Sequence, residues 1–403
     1  MQRIFLLAIL LFLVGSPAVL AQTWLARNPV QNRAGVYQFV INGVAYVGGG
    51  EDDTVAYADL RAYDPATDTW TPRASLPGVG RSAAASFVVN GKAYVVGGFT
   101  FDGIPAPILT ETWIYDPAAN TWTARAPYPG NAGAGAMGFA IGGIGYVGGG
   151  SDFDNGTSYS DFYSYDPVLN HWTARASLPA PLSTLGGAFT LNGAGHLAGG
   201  LRFSSAGFPD ITNQHWSYSP AANQWQRRAD LPTDRAYCGA LATGGYGYVA
   251  EGISSFLPPT PTRDLLRYDA AANTWTAVPP GQGPAGVGRG VPVFFAVAGS
   301  LYLGGGINPL TDDLLSDFWR LPGFVTGTTA PAAPAAFTLA PNPAATHVRL
   351  LNAPAAVTEL LDAAGRVVRV WPVGQTVGEV ADVPAGVYLV RCGTAVRRLL
   401  IER

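Results

Sequence analysis

A motif of tyrosine, six residues and tryptophan recurs along this chain at intervals of about fifty residues. It reads YDPATDTW at Tyr63–Trp70, YDPAANTW at Tyr115–Trp122, YDPVLNHW at Tyr165–Trp172, YSPAANQW at Tyr218–Trp225 and YDAAANTW at Tyr268–Trp275. Trp24 opens the series without a preceding tyrosine. A second element alternates with the first: AYVGGG at 45–50, AYVVGG at 93–98, GYVGGG at 145–150, GHLAGG at 195–200, GYVAEG at 247–252 and LYLGGG at 301–306. Upstream of it stand Asn42-Gly43, Asn90-Gly91 and Asn192-Gly193. Each is a tight hairpin turn, because asparagine and glycine tolerate positive φ. The unit therefore reads as a hairpin, a longer loop, a third strand, a short DPxxxxW turn and a fourth strand stopped by proline. One small sheet of this kind cannot bury both faces, so the copies must pack on one another.

Six such sheets set radially make a β-propeller. The recurring diglycine and the spaced Tyr and Trp resemble the kelch family over roughly residues 22–322. The last unit has LYLGGG and DFWRLP but no following Trp strand, and the first Trp strand, TWLARNPV, has no sheet before it. The N-terminal strand is thus expected to complete the sixth blade, as is usual in that family. The expected fold class is all-β: a six-bladed kelch-type propeller followed by a small Ig-like β-sandwich. Composition agrees. Charged residues are 13% of the chain and aromatics 11%, with 51 Gly and 32 Pro. That excludes a coiled coil and a charge-rich disordered chain.

The net charge is −3 and Lys92 is the single lysine. With no basic stripe, nucleic acid is excluded as a partner. Cys238 and Cys392 fall in different expected domains and are expected to be free, buried thiols. His171, His196, His215 and His347 stand at unrelated spacings, so no metal and no cofactor is expected.

Residues 1–21 read as a signal peptide: Arg3, an apolar run from Ile4 to Gly15, and a small-residue exit ending at Ala21. The run is too short to span a bilayer, so no transmembrane segment is expected. Residues 323–336 (GFVTGTTAPAAPAA) are a linker. Residues 337–403 hold short alternating strands. They resemble the type A sorting domain of the type IX secretion system through Leu339-Ala340-Pro341-Asn342-Pro343, Leu361-Asp362-Ala363-Ala364-Gly365-Arg366-Val367-Val368, Pro384-Ala385-Gly386-Val387-Tyr388-Leu389-Val390 and the closing Arg397-Arg398-Leu399-Leu400-Ile401. The resemblance implies that the type IX machinery is a partner and that the propeller is its cargo, secreted or held at the cell surface by way of the periplasm.

In a four-stranded blade the 2–3 and 4–1 loops share one face. Their variable length and chemistry make that face the expected working side. Nine residues before the hairpin turn lie Arg33, Arg81, Gly133, Ser183, Arg235 and Arg289. The four arginines belong to contiguous blades and suggest a guanidinium half-ring for an anionic ligand, or braces between loops. Glu251 occupies a slot that is Gly49, Gly97, Gly149, Gly199 and Gly305 elsewhere. A carboxylate there marks a candidate binding residue, or a salt bridge to Arg235 or Arg289. His196 replaces the repeat tyrosine and reads as a core residue. The acidic, aromatic loops Glu51-Asp52-Asp53, Phe99-Thr100-Phe101-Asp102 and Asp152-Phe153-Asp154-Asn155, together with Asp312-Asp313, suit sugars. No nucleophile elbow, zinc-protease or phosphate-loop motif is present, so no catalytic residue is assigned. The expected function is binding of a glycan or protein. The alternative is a carbohydrate-active enzyme of the sialic-acid mutarotase type.

Overall fold

The computed structural model describes residues 23–403 except 53, 102–106, 132, 180–184, 204–208, 279–282, 285, 287, 324–337, 341, 343, 352–356, 363–365, 393–394 and 403. The expected signal peptide, nearly all of the linker and Ser183 lie outside the described residues. Every regular element described is a β-strand. Among the described residues no helix is long and apolar enough to cross a membrane.

Six antiparallel sheets of four strands account for residues 25–322. Sheet one comprises Ala34–Ile41, Val44–Glu51, Leu60–Asp64 and Thr69–Arg73. Sheets two to five begin with Ala85–Val89, Met137–Ile141, Gly187–Leu191 and Gly239–Thr243 and repeat the same order. Sheet six has Val293–Val297, Ser300–Gly304 and Phe318–Pro322. Its fourth strand is the N-terminal Leu25–Arg27, paired as Leu25 with Arg320 and Arg27 with Phe318. The first strands of successive sheets are neighbours, and those of sheets six and one are neighbours too, so the cycle closes. Trp24 packs against the cluster that joins Leu301, Leu303 and Leu321 of this sheet to Tyr248 and Leu265 of sheet five, as the closure argument expects.

The repeat motif explains how neighbouring sheets hold together. Tyr115, Tyr165, Tyr218 and Tyr268 are buried and donate their hydroxyls to the asparagine five residues on, at 2.6–2.8 Å. Each asparagine takes positive φ to close the turn. Its Oδ1 also accepts a backbone N–H from the preceding sheet, as Asn120 does from Ala74 at 3.0 Å. The repeat tryptophan then donates to the same partner residue, Trp122 Nε1 to Ala74 O at 2.8 Å. In sheet one Asp68 stands in for asparagine and clasps Asn28. The ring pair Tyr115–Trp122 lies 4.9 Å apart, so one motif supplies both core and clasp.

The diglycine admits the next sheet's loop. At Gly49, with φ +62°, a Cβ would lie 2.6 Å from the Tyr37 ring and 2.7 Å from Arg81 O. Gly50 N donates to that same Arg81 carbonyl at 2.9 Å.

The C-terminal residues form two further sheets. One orders Thr338–Ala340, His347–Leu351 and Val377–Glu379; the other orders Val367–Trp371, Thr358–Leu361, Gly386–Cys392 and Ala395–Ile401. Val348, Leu360, Trp371, Val390 and Leu399 make a core separate from those of the six sheets.

Candidate functional site

The four arginines occupy equivalent places and do the same work. Each donates Nη1 to the carbonyl of the residue sixteen positions on: Arg33 to Gly49, Arg81 to Gly97, Arg235 to Glu251 and Arg289 to Gly305, at 3.0–3.3 Å. Each also ion-pairs with a carboxylate at the start of the third strand of its own sheet. Arg33 pairs with Asp59, Arg81 with Glu111 at 2.6 Å, Arg235 with Asp264 at 2.7 Å and Arg289 with Asp317 at 2.6 Å. The side chains of Arg81 and Arg235 are wholly buried. Burial works against the Asp59 and Asp317 carboxyls, but the guanidinium hydrogen bonds outweigh it and hold both below the ordinary range. Of the two sequence readings, ligand half-ring or braces between loops, these ion pairs favour the braces. The groups are adjacent, as expected, and each is engaged by a carboxylate of its own sheet, with Arg289 also held by Glu251 of sheet five and Nε of Arg81 and of Arg235 left without a partner among the described residues. They brace the loops.

The two sheets without arginine fit this reading. Sheet four has Ser183 and also Gln214 where the others carry an acid. Gln214 Oε1 accepts Trp216 Nε1 at 3.1 Å, as the Asp317 carboxylate accepts Trp319 Nε1 in sheet six. Sheet three has Gly133 but keeps Asp161, which accepts the Tyr128 hydroxyl at 3.2 Å and Asn131 N at 3.0 Å.

Glu251 reaches across to the next sheet. Its Oε2 accepts from Arg289 Nε at 2.9 Å and from Arg289 N at 3.0 Å. Its φ of 53° is the conformation that glycine takes in the other five sheets. Burial pushes its carboxyl up to about 7, although Arg289 beside it pulls the other way. The ion pair to Arg289 is realised through Oε2, while Oε1 is buried with no hydrogen-bond partner among the described residues.

The open space lies elsewhere. All six sheets contribute to a central channel of about 240 Å³, walled by the small residues that start each first strand, among them Ala84, Ser86, Gly138, Gly239 and Ala240. On the 2–3 loop side it meets a mouth cavity of about 420 Å³. Between the two stands a ring of equivalent residues: Gly35, Ala83, Gly135, Leu185, Tyr237 and Val291. Every one has positive φ, from 29° at Leu185 to 74° at Gly135. Backbone bonds join neighbours in the ring: Ala83 N to Gly35 O, Gly135 N to Ala83 O and Val291 N to Tyr237 O, at 2.6–2.9 Å. This bonding forces side-chain-bearing residues into a glycine conformation, at about 1–3 kcal/mol each.

The cavity walls are aromatic and acidic. Phe99, Phe101, Phe153, Tyr237, Ile108 and Ile307 supply apolar surface, and Glu51, Asp152 and Asp154 supply charge. Phe101 and Phe153 are each 40% exposed. Burial lifts the Tyr237 phenol to about 12, with the charge of Glu51 adding to the effect from sheet one. Asp152 accepts from Asn155 N and Nδ2 at 3.1 and 2.7 Å, which shapes the loop carrying Phe153. The aromatic and acidic loops singled out from sequence thus converge for sheets one to three, whereas Asp312 and Asp313 do not line the cavity. Asp53 and Asp102 lie outside the described residues. Sequence reasoning missed the ring, because nothing in Leu, Tyr or Val announces positive φ. It also missed Glu51 as an exception. Nine residues past each hairpin turn stand Glu51, Phe99, Ser151, Leu201, Ile253 and Ile307, and only the first is charged.

His196 is a core residue, as expected, and it stacks on Phe189. His215 is its unforeseen partner, with His196 Nδ1 and His215 Nε2 3.0 Å apart. Burial lowers the pair to about 4 and about 3. Neither cysteine is in a disulfide. Cys392 is buried, while Cys238 stands on the channel wall, its thiol lifted to about 12 by burial.

Residues 22–200 match the family model of the KLHDC2/KLHL20/DRC7 Kelch-repeats domain. Residues 22–200 are thus similar to a kelch-repeat domain. The solved structure titled "Structure of YjhT" is similar in fold, with a TM-score of 0.59, 18% identity, and coverage of 72% of this chain and 95% of that one. No curated protein sequence matches the chain. The repeats build a β-propeller, and its mouth cavity is the candidate binding site.

Proposed function

We propose that this protein is an exported ligand-binding protein: a six-bladed kelch propeller, carried out by a cleaved signal peptide at 1–21 and by an Ig-like type IX sorting domain at 337–403. The ligand, a glycan or a protein segment, is held at the mouth cavity. One observation carries the binding reading: a cavity of about 420 Å³ to which every sheet contributes, floored by a backbone held in strained conformations. Propellers recruit unrelated functions to that position, so the site and not the fold carries the argument. The enzyme alternative, acting on an acidic sugar, would need guanidinium groups open to a carboxylate, and those of Arg33, Arg81, Arg235 and Arg289 are engaged within the fold.

Glycan and peptide arrays probed with the chain and with a Phe101→Ala/Phe153→Ala variant test the binding reading. Signals that vanish in the variant support it; signals identical in both overturn it. For the route, a chain lacking 337–403 is expected to remain in the periplasm, and its appearance outside the cell would refute the sorting assignment.

A further inference from the structure

We propose that the mouth cavity takes an organic cation: an ammonium or guanidinium group on an apolar stem. The inference rests on the cavity being the binding site and adds the charge class of the occupant, opposite to the anion that the arginine series suggested.

Three observations on different residues converge. First, among the described residues the charged side chains lining the cavity are Glu51, Asp152 and Asp154, and no basic side chain lines it. The nearby arginines are each bound to a carboxylate of their own sheet. A carboxylate, sulfate or phosphate entering here would meet like charge and no donor cation. Second, Phe101 and Phe153 hold aromatic surface open at the cavity, and their edge-on partners Phe99 and Phe203 stand 5.5 and 5.7 Å away. Ring faces attract a cation once water is displaced. Third, the floor is apolar at Leu185 and Val291, and Ile307 extends it up the wall. Apolar wall on that scale suits an alkyl or aryl stem and leaves most hydroxyls of a sugar without partners.

Glu51 is central to the charge. Its register position is apolar or a small hydroxyl in the other five sheets. The mouth is therefore symmetric in backbone and one-sided in charge, acidic across sheets one and three. A cation bound there places its stem toward Val291 and Leu185 and its head toward Glu51 and Asp152.

The test uses the full chain and small probes of matched shape: phenylpropylammonium, phenylpropanol and phenylpropionate. Methyl glucoside and an N-acetylated Ala-Lys-Ala amide complete the set. The amine and the peptide separate a free amine from a lysine side chain, and binding of either supports the inference. Affinity is read by titration calorimetry at low and high salt. The ammonium is expected to bind about tenfold or more tightly than the propionate, with the margin shrinking at high salt. Glu51→Gln and Asp152→Asn are each expected to weaken the ammonium about threefold or more and to leave phenylpropanol unchanged. Phe153→Ala is expected to weaken every aromatic probe, and its exposure at the surface keeps the variant folded.

If phenylpropionate binds as tightly as the ammonium, or methyl glucoside binds more tightly than any aryl probe, the cation inference falls. The site reading survives that result provided Phe153→Ala still weakens the bound probe. If no probe binds in the millimolar range, or Phe153→Ala changes none of them, the site reading falls and takes the inference with it.

Discussion

Replacing Arg235 with alanine should cost the fold and not the ligand. The guanidinium makes a two-pronged ion pair with Asp264, at 2.7 and 3.0 Å, and donates to Thr233 Oγ1 at 3.1 Å and to Glu251 O at 3.2 Å. Breaking a buried pair by removing one partner costs about 3–5 kcal/mol, chiefly through the stranded charge. The Asp264 side chain is 31% exposed, so water can reach the abandoned carboxylate and the loss should sit near the lower end, at about 3 kcal/mol. For a domain of this size about 2 °C is lost per kcal/mol, which gives a fall in Tm of about 6 °C by calorimetry. Arg81→Ala should cost less, because its partner Glu111 is 48% exposed. Arg235→Met combined with Asp264→Leu should recover most of the loss, since a matched apolar pair leaves no charge behind. An Arg235→Ala protein that melts with the parent while losing its ligand would refute the bracing argument and restore the anionic half-ring.

The two unusual titrations have opposite signs. Glu251 is lifted from 4.5 to about 7 in the fold, so it binds more protons folded than unfolded. Its stabilising contribution is complete below about pH 4.5 and is lost as pH rises through about 7, and Glu251→Gln should abolish that slope in chemical denaturation. His196 and His215 are lowered from 6.5 to about 4 and about 3, so their contribution is complete above pH 6.5 and lost as pH falls through those values. His196→Tyr restores the repeat residue and should lessen acid unfolding followed by tryptophan fluorescence; an unchanged acid midpoint would exclude the pair as its source. Trp24→Ala should lower stability by about 3 kcal/mol and loosen sheet six first, seen as faster hydrogen exchange across Phe318–Pro322. Equal exchange in parent and variant would mean that the closing strand is held without its tryptophan.

Much of the architecture is legible because the residues that make it are in register. Asn90-Gly91 names its own turn, and Tyr115 with Trp122 names both the core and the clasp. The missing Trp strand after Phe318 and the spare one at Trp24 reveal the closure. The fate of the arginines was legible too, from a different ruler. Asp59, Glu111, Asp161, Gln214 and Asp264 each stand four residues before the repeat tyrosine, and sheet four drops arginine and acid together. Counting from the hairpin turn hides this, because the loops between differ in length. The mouth could not be read in this way. Positive φ at Tyr237 and Val291 is imposed by hydrogen bonds to neighbouring sheets, a tertiary cause with no local residue signature.

Sheet six is built from both ends of the propeller segment, and that makes chain length a condition for assembly. During synthesis Leu25–Arg27 emerges first and stays unpaired until Phe318–Pro322 follows it. Five sheets can form in sequence, but the ring gains its last contact only when nearly three hundred further residues are available. A product truncated before that point keeps an open strand edge, which is a template for aggregation and a handle for quality control. The same geometry gives the ring no privileged beginning. A permuted chain, joined through sheet six and opened in one of the short turns before a repeat tryptophan, would build the same circle with its seam in another blade.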